Sequence, residues 1–270
     1  MNDTLVRETA PVDTIAMLTG TEPVSDSVSI ITLDAPDIAA SARPGNFVNI
    51  KINEGSTQPL LRRPFSIHNV RGNLIDLMIK SVGTGSTMLR ESRPGSLFRI
   101  LGPLGNAFGI NDESFATALL VSGGIGTAPM LFLQQHLLLR KKTVINLVGG
   151  RNSNDLLTRH LENCNIATDD GSAGFKGSVV SLLEQHYPGI RETGPVRIFA
   201  CGPHPMLKAI ADFCVRETIT GELSLESIMG CGIGICYGCN CYIRTGNDDE
   251  TDTILLCRKG PVLEAKLLAD

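Results

Sequence analysis

Four of the chain's eight cysteines fall within eleven residues, in Met229-Gly230-Cys231-Gly-Ile-Gly-Ile-Cys236-Tyr-Gly-Cys239-Asn-Cys241, and a fifth, Cys257, follows an acidic, turn-like insert. Cys231, Cys236 and Cys239 are spaced C-x4-C-x2-C, and with a distant fourth cysteine this is the ligand spacing of a plant-type [2Fe-2S] centre. Gly232, Gly234 and Gly238 carry no Cβ, so the backbone between the thiols can fold tightly and aim N–H groups at cluster sulfides. A structural zinc site also takes four thiolates. Zinc knuckles pair their cysteines over short gaps, whereas here three thiols share one loop, and the spacing favours the cluster. Cys241 is either an alternative to Cys239 as a ligand or a buried thiol.

A second group of chemistry-bearing residues is Arg62-Arg63-Pro64-Phe65-Ser66-Ile67. On an extended strand Arg63 and Phe65 point to one face, Pro64 and Ser66 to the other. Such a mixture suits a flavin with its pyrophosphate, because arginine takes phosphate bidentately while a hydroxyl and main-chain N–H groups bond the ring edge. An arginine pair at the surface with Phe65 in a core would look the same. Lys80-Ser-Val-Gly83-Thr-Gly85-Ser86-Thr87, a glycine turn that opens a helix, tips the balance toward the cofactor.

Ser122-Gly123-Gly124-Ile125-Gly126-Thr127-Ala128-Pro129 follows an apolar run and opens a helical pattern, the position in an α/β unit where a nucleotide pyrophosphate rests on backbone N–H groups. Ala200-Cys201-Gly202-Pro203-His204-Pro205 repeats the arrangement after a later strand. Carboxyl ends of parallel strands form the ligand crevice, so both loops are expected to face one cleft, with Gly123, Gly124, Gly126, Cys201, Gly202 and Pro203 as nucleotide contacts. Asp169-Asp170-Gly171-Ser172 is either a turn or a ribose contact. None of the five histidines shows metal spacing or a paired nucleophile, and no catalytic acid or base stands out.

These loops need a scaffold. From Val12 to about Leu101 the pattern is six short strands (Val12–Leu18, Ser27–Leu33, Asn46–Ile52, Arg63–Val70, Leu74–Val82 and Ser96–Ile100) with turn residues between them, as in an antiparallel barrel. A helical piece, Ser86–Ser92, interrupts it. Beyond the first boundary near Asn111 the rhythm becomes strand, glycine loop, helix. Strands are expected over Phe115–Val121, Thr143–Val148 and Val196–Cys201, and helices over Thr127–Arg140, Asn154–Asn163, Ser178–His186 and Pro205–Glu217. That alternation implies a parallel sheet. After Gly221 the helices stop, Asn247–Asp252 reads as a solvated acidic turn, and Ile254–Leu256 as a strand leading to Cys257. The expected organisation is a barrel domain over 1–111, an α/β domain over 112–221 and a small cluster domain over 222–270.

With 270 residues, a formal charge of −4, 42% hydrophobic and 19% charged residues, the chain is a globular protein with no electrostatic pull toward nucleic acid or anionic lipid. No apolar run approaches the ~18 residues of a membrane span, and Met1–Ala10 has no signal-peptide core. A cytoplasmic protein with reduced cysteines is expected.

Taken together, Arg63-Pro-Phe-Ser66, Gly83-Thr-Gly-Ser86, Ser122-Gly-Gly-Ile-Gly-Thr-Ala-Pro129, Cys201-Gly-Pro203 and Cys231-Gly-Ile-Gly-Ile-Cys236-Tyr-Gly-Cys239 resemble, in order and over nearly the whole chain, the electron-transfer subunit of dihydroorotate dehydrogenase B within the ferredoxin reductase superfamily. The resemblance implies FAD, a [2Fe-2S] cluster and NAD as cofactors, and makes the barrel, α/β and cluster domains FAD-binding, NAD-binding and [2Fe-2S]-binding in turn. It also implies a catalytic, FMN-bearing dihydroorotate dehydrogenase subunit as partner in a heterotetramer, and a role in pyrimidine biosynthesis. It implies that Arg63, Pro64, Phe65, Ser66, Ile79, Lys80, Ser81, Gly85 and Ser86 contact FAD, and that Cys231, Cys236, Cys239 and Cys257 hold the cluster. The residues after Cys257, Arg258-Lys259-Gly260-Pro261-Val262-Leu263, depart from the family's usual acidic residue followed by Gly-Pro-Val-Phe. A subunit of a ferredoxin:NADP oxidoreductase or sulfide dehydrogenase would use the same three cofactors. A zinc-stapled binding module is the reading from a different class.

Overall fold

The computed structural model describes residues 10–53, 55, 58–245 and 251–268. The chain divides into two compact units. One runs to Ala107 and adds Ser227–Cys241 and Ile254–Pro261, and the other holds Phe108–Glu226, Tyr242–Thr253 and the segment from Val262.

In the first unit, alternating β-branched and polar residues build β1 (Val12–Pro23) and β2 (Val28–Asp34), and a short α1 (Pro36–Ala39) opens on its proline. β3 (Phe47–Lys51), β4 (Arg63–Arg71) and β5 (Leu74–Lys80) follow, then α2 (Thr84–Arg90) and β6 (Leu97–Leu104). The six strands close a barrel in the order β1-β2-β5-β4-β3-β6, with β6 returning antiparallel to β1. Leu18, Ile31, Leu33, Ile50, Ile67, Ile75, Leu77 and Ile79 fill it and are wholly buried, each such side chain removed from water contributing about 1.5–3 kcal/mol. The expected antiparallel barrel is present.

The second unit is an α/β sheet. Its strands are β7 (Thr117–Gly123), β8 (Thr143–Gly150), β9 (Cys164–Thr168), β10 (Phe175–Lys176), β11 (Val196–Cys201) and β12 (Gly221–Ser224). Helices α3 (Met130–Leu139), α4 (Val179–Arg191) and α5 (His204–Glu217) connect them. The sheet order is β10-β9-β8-β7-β11-β12, all parallel as the alternation implied. β7 is central and every residue of it is buried, as expected where helices cover both faces. Phe199 of β11 meets Phe108 and Phe115 edge to face, with ring centroids 5.7 and 5.9 Å apart. Beside them the buried Arg197 bonds Glu222 at 2.7 Å, and Glu222 accepts the Gly109 N–H at 2.8 Å. This pins the start of the unit to its own sheet.

The expected helix over Asn154–Asn163 does not form. A 3-10 turn at Ser153–Asp155 is followed by irregular chain with His160 and Asn163 at positive φ. Side chains from the sheet and from α3 hold that chain in place. Asn146 donates to Gln134 and to the Glu162 carbonyl at 2.7 Å each, Gln134 accepts the Glu162 N–H at 3.0 Å, and Asn163 donates to the Val144 carbonyl at 2.9 Å. Tertiary hydrogen bonds win over a modest local preference.

Beyond Gly221 the chain contributes to both units. β13 (Asn240–Arg244) and β14 (Thr251–Leu255) form a two-stranded sheet, α6 (Leu256–Lys259) is a single turn, and β15 (Val262–Glu264) adds antiparallel to β12. Residues 247–250 of the expected acidic turn lie outside the described residues, and Thr251 and Asp252 begin β14. The strand expected to lead to Cys257 ends at Leu255, and Cys257 itself sits in α6.

Candidate functional site

Gly232 and Gly234 adopt φ of +72° and +88°, which a side chain would resist. These turns curl the loop so that the N–H groups of Ile233, Ile235 and Cys236 all point at the Cys231 sulfur, at 3.5, 3.3 and 3.4 Å. Burial of the Cys231 thiol opposes its ionisation, but these three donors, together with the Cys236 thiol, bring its pKa down to about 6. The Cys236 sulfur accepts the Gly238 N–H at 3.5 Å. The Cys239 sulfur accepts the Cys257 N–H at 3.5 Å, and the Leu256 N–H bonds the Cys239 carbonyl at 3.0 Å. Burial first, and then the adjoining Cys239 thiol, push Cys257 up to about 12.

The Cys236 thiol bears on Cys231, and the thiols of Cys239 and then Cys231 bear on Cys257, so the four lie near one another. Among the described residues no three histidine, cysteine or acidic side chains converge on a single ion position. A tetrahedral zinc needs four ligands at one point, whereas a two-iron centre takes two on each iron. The donor set thus fits the cluster. Cys241 lies half-buried on β13, its thiol pushed up by burial.

The second candidate group lies in the same unit. The Arg63 side chain lies over Gly85, where a Cβ would come within 3.5 Å of its Cγ and Nε. Its guanidinium donates to the Leu61 carbonyl at 2.8 Å. Ser86 is buried and its hydroxyl organises the turn before α2, accepting the Val82 and Gly83 N–H groups at 2.9 and 3.2 Å. The first helical N–H to find an internal partner is that of Thr87, on the Gly83 carbonyl at 3.0 Å. Ser81 Oγ is buried without a hydrogen-bond partner, and Leu60, Leu61 and Val82 leave apolar side chains exposed. An orphaned hydroxyl beside bare apolar surface fits a bound group with both polar and aromatic parts. Pro64, Phe65 and Ser66 are partly exposed on β4, Ile79 is buried and Lys80 half-buried at the end of β5.

In the second unit the two glycine loops are brought together, as β7 and β11 are neighbours in parallel register with Ser122 opposite Cys201. A Cβ on Gly126 would sit 2.3 Å from the Cys201 carbonyl oxygen, and one on Gly202 would sit 3.1 Å from the Gly123 nitrogen. Gly123 abuts Met206 and Pro203 in the same way. Gly124 has φ of +54° and open space where its side chain would be, so a ligand can approach the backbone there. Cys201 supplies its main chain to this contact. Its side chain is buried in the core of the unit, where burial first and the Glu226 charge second push the thiol up. The loop from Asp169 is a hydrogen-bonded turn, in which the Asp170 carboxylate accepts the Ser172 N–H at 2.9 Å.

One residue that the sequence pattern does not single out also touches the cysteine loop of the first unit. Asn49 of β3, wholly buried, donates from Nδ2 to the Cys231 carbonyl at 3.0 Å. A polar residue in the apolar run Asn46–Ile52 is the only sequence signal of it.

Two family models match. An oxidoreductase FAD-binding domain matches residues 16–108, and the iron-sulfur cluster binding domain of dihydroorotate dehydrogenase B matches 226–269. The chain is 36% identical over 246 residues to the dihydroorotate dehydrogenase B (NAD(+)) electron transfer subunit of Desulforamulus reducens, covering 88% of this chain and 91% of the relative. It is 35% identical over 233 residues to the subunit of the same name from Lysinibacillus sphaericus, covering 84% and 87%. A solved structure of an NADH-dependent reduced ferredoxin-NADP oxidoreductase superposes with a TM-score of 0.81 at 24% identity, over 95% of this chain and 90% of that one; at that identity the likeness speaks for the fold.

Proposed function

Because the chain belongs to the family of dihydroorotate dehydrogenase B electron transfer subunits, we propose that it carries electrons from a catalytic, FMN-bearing subunit that oxidises dihydroorotate to NAD+, as part of pyrimidine biosynthesis. The observation that carries this reading is the cysteine loop, its N–H groups turned onto the Cys231 sulfur and its Cys239 sulfur on the Cys257 N–H, in the same unit as a barrel that matches an FAD-binding domain. When bound, the cofactors supply the redox chemistry: a [2Fe-2S] cluster exchanges single electrons, and FAD exchanges hydride with a nicotinamide.

The residues supply binding and electrostatics. Cys231, Cys236, Cys239 and Cys257 would hold the cluster, while the N–H groups of Ile233, Ile235 and Cys236 stabilise the charge on the Cys231 sulfur. Arg63 and the start of α2, with Gly85 and Ser86, hold the FAD pyrophosphate, and Pro64, Phe65, Ser66, Ile79, Lys80 and Ser81 line the flavin. Gly123, Gly124 and Gly126, with Cys201, Gly202 and Pro203, form the paired loops that receive NAD, Gly124 offering open backbone to it. Ile228, Ile235 and Tyr237 leave large apolar surfaces exposed around Cys236, and the catalytic partner seats there, in a heterotetramer. The working compartment is the cytoplasm, in keeping with eight cysteines that form no disulfide.

The test is purification of the chain with its partner under anaerobic conditions, analysis for iron, acid-labile sulfide and FAD, and assay of NAD+ reduction with dihydroorotate. Cys236→Ala abolishes the iron signal and the partner-linked reduction while FAD stays bound. Loss of FAD with iron retained overturns the assignment.

A further inference from the structure

Asn49 occupies an apolar position at a cost. It stands on β3 opposite Pro64 of β4 and Leu101 of β6, with no part exposed. Its Oδ1 is buried without a hydrogen-bond partner. A valine or isoleucine would suit such a strand position without stranding a polar atom. What the side chain gains is the 3.0 Å bond from Nδ2 to the Cys231 carbonyl. The fit there is close: a Cβ on Gly232 would lie 2.3 Å from Nδ2, so the amide fills the space that glycine leaves. The main chain of Asn49 also accepts from the Arg62 guanidinium at 3.4 Å, next to the Arg63–Ser66 segment.

We propose that Asn49 is a positioning residue for electron exchange: it ties the cysteine loop, at Cys231, to the strand pair β3–β4 that carries Arg63–Ser66, and so sets the separation of the cluster from the flavin. The inference rests on the ligand and flavin assignments made above. Electron exchange between two fixed centres falls off steeply with their separation, and a loop released from its anchor lengthens and varies that gap. The hydrogen bond reaches a carbonyl, so the side chain acts on the placement of Cys231 and leaves its sulfur untouched.

The test uses the full complex with the catalytic partner, carrying Asn49→Leu or, as a smaller change, Asn49→Ser. NADH is added anaerobically, flavin bleaching is followed by stopped flow, and the reduced-cluster signal is followed by freeze-quench electron paramagnetic resonance. The expected result is unchanged FAD and iron content, unchanged flavin bleaching, and arrival of the cluster signal slowed about tenfold or more, as misplacement of reacting centres produces. Arrival at the parent rate in both variants overturns the proposal. So does equal slowing of both phases, or loss of both cofactors from both variants, since either makes Asn49 a scaffold residue alone. A parent complex without iron and labile sulfide overturns instead the assignment of the thiols on which the inference rests.

Discussion

The backbone N–H of Cys257 points at the sulfur of Cys239, 3.5 Å away, across eighteen positions of sequence. The contact sets Cys239 beside Cys257 and supports it, ahead of Cys241, as the ligand there. Cys239→Ala should therefore strip iron from the protein, while Cys241→Ala should keep it. Iron and labile sulfide per FAD in the two purified variants decide between them, and retention of both in Cys239→Ala would sink the assignment.

Gly126 faces the Cys201 carbonyl so closely that an added methyl would stand 2.3 Å from the oxygen. Neither partner is a flexible side chain, so the two loops must part, at about 1–3 kcal/mol by the usual toll of overpacking. Gly126→Ala should raise KM for NADH about tenfold or more with FAD and iron content intact. Steady-state NADH oxidation with an artificial acceptor measures it, and an unchanged KM would remove this loop from the nucleotide site.

Ser86 closes the turn before α2 with two accepted N–H bonds and donates to the Gly83 carbonyl at 3.0 Å. In Ser86→Ala the N–H groups of Val82 and Gly83 lose their partner, a loss of about 0.5–1.5 kcal/mol for a part-buried bond, and the turn loosens. FAD should dissociate about tenfold more readily, read from the rise of flavin fluorescence on dilution. The parent affinity in this variant would show that the turn does not shape the flavin site.

Cys231 reports on its loop once iron has been removed. Burial opposes its ionisation, yet the three N–H donors lower its pKa to about 6, so at pH 7 it is mainly thiolate, the reactive form. Burial drives the thiols of Cys201 and Cys214 the other way, Cys214 to about 12. Iodoacetamide at pH 7 should label Cys231 ahead of both, and its labelling should fall as the pH drops through about 6. Mass spectrometry of the quenched protein gives the order, and equal labelling of all three would show that the loop is not preorganised.

Much of this was legible in the sequence because it was local. Alternating residues between turn signals mark the barrel strands, and the strand expected over Val196–Cys201 runs between those same residues. Glycines at strand ends announced both loops, and parallel pairing of β7 with β11 brings them into contact. What escaped was set by distant partners. The Asn154–Asn163 segment has a helix-compatible pattern, yet Asn146 and Gln134 take its backbone groups into a network that a helix would forbid. Asn49 looks like any polar residue in a strand until the Cys231 carbonyl is beside it. The tail after Gly221 reads as one appendage too small for its own core, and the chain resolves that shortage by giving β12 and β15 to the sheet and the cysteine loop to the other unit.

The four thiols differ in their access to solvent. Cys236 is exposed and Cys231 half-buried, whereas Cys239 and Cys257 are both enclosed. Dioxygen and peroxide reach the outer couple first, and a thiolate in contact with them climbs the oxidation ladder toward sulfenic acid. In the chain without its partner, oxidation in air should therefore begin at the rim, at Cys236, and proceed from that corner inward.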